Sequence, residues 1–259
     1  GGGNGDGGGN GDGGGNGDGG GNGGGNGNGT EHNASIGVLE ATVSLVNAIS
    51  WVNVTLDGTS SGVNQCPAGG TVTRSLSGHD THLQFNACQV HGASNEVIKL
   101  NGNASTNCVD HSGACVYDFN TLKATHLGLQ MSVDGDARRI DSSQLTALSG
   151  SHIQVAKNDH PYSLKNYDMG NSNAGLTAME LVFNNVNTDY DATADTSLAL
   201  PLTGCLATGK VYLATAQHTI TVTPHPGGNL TVTWPNGSST LNCSEITPFP
   251  MTGAAPTFR

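Results

Sequence analysis

Oxygen ligands suited to a hard cation are clustered in one short stretch of the sequence. The run NTDYDATAD places Asn187, Asp189, Asp191 and Asp195 within nine residues. Ca²⁺ binds oxygen ligands of this kind where a flexible loop gathers them. The spacing is similar to the opening of a Ca²⁺ loop, although the glycine and terminal Glu of an EF-hand are missing. A solvated acidic turn is the preferred interpretation, and no cofactor is expected. Ca²⁺, bound by Asp189, Asp191 and Asp195, is the alternative and the one candidate cofactor.

Six cysteines are the second group with defined chemistry: Cys66, Cys88, Cys108, Cys115, Cys205 and Cys243. An even count, without a CxxC pair, predicts three disulfides and an oxidising compartment. Of the many pairings, we favour the sequential one: Cys66–Cys88, Cys108–Cys115 and Cys205–Cys243. His111 lies between Cys108 and Cys115, so a zinc site is an alternative there. A small disulfide loop explains the same residues and is preferred.

Acceptor sites for N-linked glycans recur along the chain. The motif N-x-S/T occurs at six positions: Asn33, Asn53, Asn103, Asn229, Asn236 and Asn242. In a secreted protein such asparagines can carry glycans on surface loops. The chain is rich in Asn, Ser and Thr, so some of these motifs arise by chance.

Motifs for catalysis are missing from the sequence. The run GTSSG at 58–62 lacks the spacing of a nucleophile elbow. There is no HExxH and no CxxCH, and the few glutamates form no evident glycosidase pair. We therefore expect that the protein is not an enzyme. A secreted hydrolase, with a site assembled from distant residues, is the least favoured alternative.

The charge balance limits the partners. Nine basic residues stand against twenty acidic ones, for a net charge of −11. Nucleic acid and anionic membrane surfaces both require basic clusters, so neither is an expected partner. No run of 18 apolar residues occurs, and hence no membrane span is expected. The chain starts at Gly1 without Met or a signal peptide, which indicates a mature, exported protein.

The first 29 residues repeat with a strict parity. Every odd position is glycine, and the even positions hold only Gly, Asn or Asp. In a β-strand all side chains would then lie on one face and leave the other bare, similar to silk. In a three-fold polyglycine helix, Asn and Asp would line separate edges. Both conformations remain open. The residues that we assign to assembly are Gly1, Gly3, Gly5, Asn4, Asp6, Asn10, Asp12, Asn16, Asp18 and Asn22.

Such a segment needs partners to be ordered. Ordering a backbone costs about 1–2 kcal/mol per residue, and glycine loses the most entropy. The segment has no apolar side chain whose burial could offset this cost. We therefore predict that residues 1–30 are an assembly arm whose partners are copies of the same chain.

The body, residues 31–259, is predicted to be all-β: a disulfide-stapled antiparallel β-sandwich preceded by the silk-like or polyglycine arm. Short strands alternate with turn signals, most clearly as a meander within 210–243. The most apolar stretch, 34–56, is predicted as one or two strands because of its β-branched residues, with a helix over 36–49 as the alternative. A division into two β subdomains, if present, would fall within 134–176. The proline-rich end, 247–259, is predicted to be an exposed arm.

These features together predict a secreted structural protein. Its copies would form an extracellular filament or surface layer through the glycine-rich arm and by strand addition. The main alternative is a cell-surface adhesin or other binding module for surface glycans, in which the arm serves as a spacer.

Overall fold

The computed structural model describes residues 28–92, 95–108, 114–141, 146–158, 160–172, 175–185, 187–253 and 257–259. The assembly arm predicted for 1–30 lies outside this part of the chain, except for its last three residues. Those three residues already belong to the first element of the body.

A single long helix, α1 (Asn28–Gly58), forms the centre of the body. The strand prediction for 34–56 is therefore wrong, and the helical alternative is the observed structure. Almost every face of this helix is buried, and apolar residues occur on all of them. The sequence therefore has no single apolar stripe that would distinguish a helix from a strand. At Gly37 the helix lies so close to the sheet that an added Cβ would be 2.8 Å from the rings of Phe183 and Tyr162.

Helix α1 is long and apolar enough to cross a membrane, contrary to the expectation from counting apolar runs. In the folded body, 89% of its most apolar window is buried. Burial of this kind is typical of the core helix of a large domain. Length and composition alone are weak grounds for a membrane span.

In the described part of the chain, fourteen antiparallel strands form one sheet around this helix, in the order of the sequence. The strands are β1 (Gly62–Gln65), β2 (Gly69–Ser77), β3 (Asp80–His91), β4 (Val97–Thr106), β5 (Ala114–His126), β6 (Leu129–Asp141), β7 (Thr146–Lys157), β8 (His160–Ser172), β9 (Gly175–Asn185), β10 (Thr188–Ala194), β11 (Val211–Ala214), β12 (Thr219–His225), β13 (Asn229–Trp234) and β14 (Gly237–Asn242).

The mainly antiparallel β character is confirmed, but two packed sheets are not, because all fourteen strands belong to one sheet. Inward and outward side chains alternate along the strands, and the inward ones form one apolar core with α1. The range 134–176 contributes β7, β8 and part of β6 to the same sheet. Strands β1, β5, β8 and β10 were not predicted, since turn-type residues obscure their alternation.

The C-terminal segment, described here for 246–253 and 257–259, packs against the helix. Phe249 and Phe258 are buried, so the predicted exposed arm is wrong for these residues. The segment ends beside β1, where Arg259 and Gln65 exchange two backbone hydrogen bonds. The meander of strands leaves one side of α1 uncovered. The C-terminal segment covers that side.

Polar side chains on one face of α1 hold this segment. Ser44 Oγ accepts a hydrogen bond of 2.8 Å from the Phe249 amide, and Trp51 Nε1 donates one of 2.8 Å to the Pro250 carbonyl. Asn47 Nδ2 donates to the carbonyls of Phe249, at 2.8 Å, and Leu202, at 3.1 Å. Their spacing places these side chains on one side of the helix. The buried polar groups of the helix are thereby paired with buried backbone.

Three disulfides fasten the chain in the pairing that the sequence favoured. They join Cys66 to Cys88, Cys108 to Cys115 and Cys205 to Cys243, with Cα–Cα distances of 5.4, 4.9 and 5.2 Å. These distances lie in the usual range for disulfides. The last bridge connects the loop before β11 to the end of β14.

The two hydrogen bonds of the Asn47 side chain predict that its truncation strongly lowers the stability of the protein. Asn47→Ala would leave two buried carbonyl groups without a donor, so we expect a loss of about 2–4 kcal/mol in the free energy of unfolding. Chemical denaturation measures it. Asn33→Ala, at an exposed position of the same helix, is the matched control and should change stability by no more than about 0.5 kcal/mol. Equal effects of the two substitutions would contradict the helix–segment contact.

Candidate assembly site

The start of α1 lies beside the last strand of the sheet. His32 Nδ1 is 3.1 Å from Ser239 Oγ on β14, and His32 Nε2 is 3.1 Å from Glu245 Oε2 just after that strand. Glu31 Oε1 is 3.6 Å from His218 Nε2, in the turn before β12. The point at which residues 1–27 join the body is therefore next to β14. We call the helix start, β14 and Glu245 the assembly site.

Strand β14 is an edge of the sheet. Among the described residues, only β13 pairs with it. Trp234 and Gly237 flank a two-residue hairpin, and the register from there makes the amides of Ser238, Thr240 and Asn242 point away from β13. The Asn242 amide donates to Glu245 Oε1 at 2.7 Å. Among the described residues, no group accepts a hydrogen bond from the outer amides of Ser238 and Thr240.

The Glu245 carboxylate closes one end of this edge. Burial tends to raise its pKa, but hydrogen bonds from the Asn242 amide and from His32 outweigh burial and hold the pKa below its usual value. Because the pKa is lowered in the folded state, the ionised carboxylate stabilises the fold at pH values above the ordinary carboxyl pKa. This stabilisation is lost as the pH falls through the lowered pKa of the folded state. At neutral pH, the ionised Glu245 carboxylate therefore occupies the outer amide of Asn242.

A buried ion pair anchors the middle of the helix. Glu40 is fully buried, and its Oε1 accepts hydrogen bonds from Lys157 Nζ at 2.5 Å and from the Thr247 amide at 2.7 Å. Burial raises the pKa of Glu40, whereas Lys157 and Thr247 oppose the rise. One carboxylate thus ties the helix, β7 and the C-terminal segment together.

The residues assigned to the arm, from Gly1 to Asn22, lie outside the described residues. His111, the third ligand of the alternative zinc site, lies outside them as well. The cysteines on either side of it, Cys108 and Cys115, are joined in a disulfide. A zinc site that uses these two thiolates is therefore wrong for this oxidised chain.

The predicted Ca²⁺ loop is mostly a strand. Asp189 and Asp191 lie on β10, and the Asp189 carboxylate accepts hydrogen bonds from Asn184 Nδ2, at 2.8 Å, and Lys165 Nζ, at 3.2 Å. These two partners lower the pKa of Asp189. Asp195 accepts hydrogen bonds from the amide and hydroxyl of Ser197 in a turn. In the part of the chain that the structure describes, no three His, Cys, Asp or Glu side chains are grouped to hold a metal ion.

The glycan acceptor sites differ in access. Asn33, Asn103, Asn236 and Asn242 are exposed, and Asn229 is half-buried. Asn53 accepts a hydrogen bond of 2.8 Å from the Tyr117 hydroxyl, on the inner face of β5, so its amide is engaged inside the body. Asn236 lies exposed in the hairpin between β13 and β14, where a glycan could be attached without disturbing a strand.

Comparison with protein-family models, with curated proteins and with solved structures finds no significant match to this chain. The assembly site is therefore interpreted from its geometry alone.

Sequence analysis missed the body's part of this site. His32, Ser239 and Glu245 are far apart in the chain, and only the fold brings them together. A signal for the anchor was present: Glu40, Ser44 and Asn47 have helical spacing within an otherwise apolar run. That spacing predicts a polar stripe on a helix and has no equivalent in a strand.

The ion pair predicts a pH-dependent effect. Lys157→Met would leave the Glu40 carboxylate buried without its countercharge, so we expect a loss of about 3 kcal/mol at pH 7. Without Lys157 the pKa of Glu40 rises further, and its protonated form is then favoured in the folded state. The loss should therefore shrink as the pH falls toward 4.5, the ordinary value for this carboxyl.

Chemical denaturation at a series of pH values measures this dependence. Lys123→Met, at an exposed position of β5, is the matched control. The double substitution Glu40→Gln with Lys157→Met should recover most of the loss at pH 7. A loss that is constant from pH 4.5 to pH 7 would contradict the coupling.

Proposed function

We propose that this protein is a secreted structural subunit whose copies assemble into an extracellular filament or surface layer. The glycine-rich arm of one copy, residues 1–27, adds as a strand to the sheet edge of a neighbour. The observation that carries the proposal is the position of the helix start beside β14, an edge strand with free outer amides at Ser238 and Thr240. Exposed strand edges are templates for pairing with another chain.

The parity of the arm suits such an edge. Along β14, Leu241 points into the core, whereas Ser238 and Thr240 are exposed. A strand added beside β14 would likewise have an inner and an outer face. With glycine at every odd position, the arm places all its Asn and Asp side chains outward and buries no carboxylate.

The body supplies a firm attachment for the arm. The arm is followed directly by α1. Tension between two subunits joined through the arm would therefore act on this helix. This helix is buried along its length and fixed by the Glu40–Lys157 pair and by its bonds to the C-terminal segment. Three disulfides favour an oxidising, extracellular location for the protein.

The first test removes the arm. Deletion of residues 1–27 should abolish filaments in negative-stain microscopy and light scattering, with the melting temperature of the body unchanged. The control is a full-length arm of the same composition in which Asn4, Asn10, Asn16 and Asn22 are each exchanged with the following glycine. That arm has side chains on both faces, so we expect assembly to weaken at least tenfold in critical concentration. Filaments from the deleted form, or an intact protein that stays monomeric, would contradict the proposal.

The second test blocks the edge itself. Thr240→Pro removes an outer amide of β14 and preserves pairing with β13, because proline is tolerated where the amide of an edge strand faces solvent. We expect a folded monomer that no longer assembles. Thr240→Val retains the amide and a β-branched side chain, and should assemble normally. If Thr240→Pro assembles as well as Thr240→Val, β14 is not the acceptor.

A second candidate function is that of an adhesin or other binding module. One observation favours it, a polar cleft on the outer face of β2–β5. Binding there is compatible with assembly, because the cleft and β14 involve different strands.

A further inference from the structure

The outer face of β2–β5 forms a cleft of about 490 Å³. Its polar side chains lie on the outer face of the strands, whereas the two apolar residues that also line it, Leu83 and Ala104, belong to the core. Eight polar side chains from the four strands line it, and it contains no Lys or Arg. The assembly site does not use this cleft, because the two involve different strands.

The first row of these side chains crosses all four strands. Thr73 on β2 lies opposite Gln84 on β3, Gln84 opposite Asn103 on β4, and Asn103 opposite Asn120 on β5. With ~4.8 Å between strands, the row is about 14 Å long. Each of these amides and hydroxyls can both donate and accept hydrogen bonds.

The second row runs parallel to the first, two residues along each strand. It consists of Ser75, His82, Ser105 and Asp118, again in register across the four strands. Asp118 is the one carboxylate of the cleft. Among the described residues, the side chains of both rows make no hydrogen bond or ion pair with another protein group. Their donors and acceptors are free for a ligand.

β-Bulges explain why a sheet surface is concave here. The register shifts around Ala87 on β3, Gly102 on β4 and Thr121 on β5, each with a positive φ, of 47°, 98° and 54°. Bulges bend the strands that contain them. All three lie beyond the first row, on the side away from the second row, within three residues of the row along each strand. The sheet therefore bends beside the cleft.

The bulges are held in place by side chains of neighbouring strands. The Ala87 amide donates to Asn101 Oδ1 at 2.9 Å, and the Thr121 amide donates to Asp134 Oδ1 at 2.7 Å. The disulfide of Cys88 fixes the β3 bulge from the inner face. The cleft is therefore preformed and would lose little entropy when it binds a ligand.

We propose that this cleft binds a short neutral oligosaccharide. A ladder of amides and hydroxyls matches the sugar hydroxyl groups, which also donate and accept. The absence of Lys and Arg from the lining disfavours sulfated or otherwise anionic glycans. His82 supplies a flat ring beside these polar groups. The cleft is open on one side, so affinity per site is about millimolar, and an assembly of many subunits raises it through multivalency.

The test uses the full chain from a host that does not glycosylate, so that Asn103 remains free. Maltotriose, cellotriose, chitotriose and mannotriose are the neutral probes, and a heparin-derived tetrasaccharide is the anionic one. Binding is measured on the monomer below the assembly concentration, by saturation-transfer and chemical-shift NMR. We expect at least one neutral trisaccharide to bind and to shift the side-chain amide signals of Gln84, Asn103 and Asn120.

Substitutions locate the binding. The double variant Gln84→Ala with Asn120→Ala should weaken binding at least tenfold, whereas Gln130→Ala, at an exposed position of β6, should leave it unchanged. Far-UV circular dichroism and melting confirm that the variants fold. Each of three results would overturn the proposal. They are no binding of any neutral probe at 10 mM (roughly ten times the expected dissociation constant), binding that the double variant retains, and preference for the anionic probe. None of these outcomes bears on assembly through β14.

Discussion

A helix that is apolar on every side must be covered on every side, and the rest of this structure follows from that constraint. Helix α1 would expose a large apolar surface on any face left open to water. A single meander of fourteen strands supplies most of the cover, and the C-terminal segment supplies the remainder. The sheet therefore has no separate core of its own. Without the helix, the inner face of the sheet would have nothing to pack against.

The few polar groups of the helix determine which part of the chain completes the cover. Buried Ser44 and Asn47, together with the Trp51 ring, bond to the backbone of the C-terminal segment and so fix its path to β1. The pairing of Arg259 with Gln65 then occupies part of that first edge of the sheet. At the other edge, β14 retains two outer amides. The two edges therefore differ, which suits the head-to-tail assembly that we propose.

Much of the strand content could be predicted from the sequence, because alternation along β3, β9 and β12–β14 is clear and turn residues separate the strands. The disulfide pairing could also be chosen, since neighbouring cysteines meet in a meander. The apolar residues alone could not predict the helix, because burial on all faces removes their two-residue and helical patterns. The polar residues Glu40, Ser44 and Asn47 have the helical spacing that the apolar ones lack. The length of the helix, about thirty residues without a proline, was a further signal.

The functional surfaces were less accessible to sequence analysis than the fold. The outer amides of β14 depend on the hairpin register from Trp234 to Gly237, and the cleft depends on the register of four strands. No local motif encodes either property. A sequence can predict that residues such as Gln84 and Asn120 point outward, but only the bulges show that the surface between them is concave.

Assembly through β14 requires that two amide groups of this strand form hydrogen bonds with a neighbouring subunit. Hydrogen–deuterium exchange of the assembled protein, compared with the monomer under the same conditions, measures their protection. If the arm of a neighbour pairs with β14, the amides of Ser238 and Thr240 should exchange at least a hundredfold more slowly in the assembly. Unchanged exchange at these amides in a fully assembled sample would contradict the account.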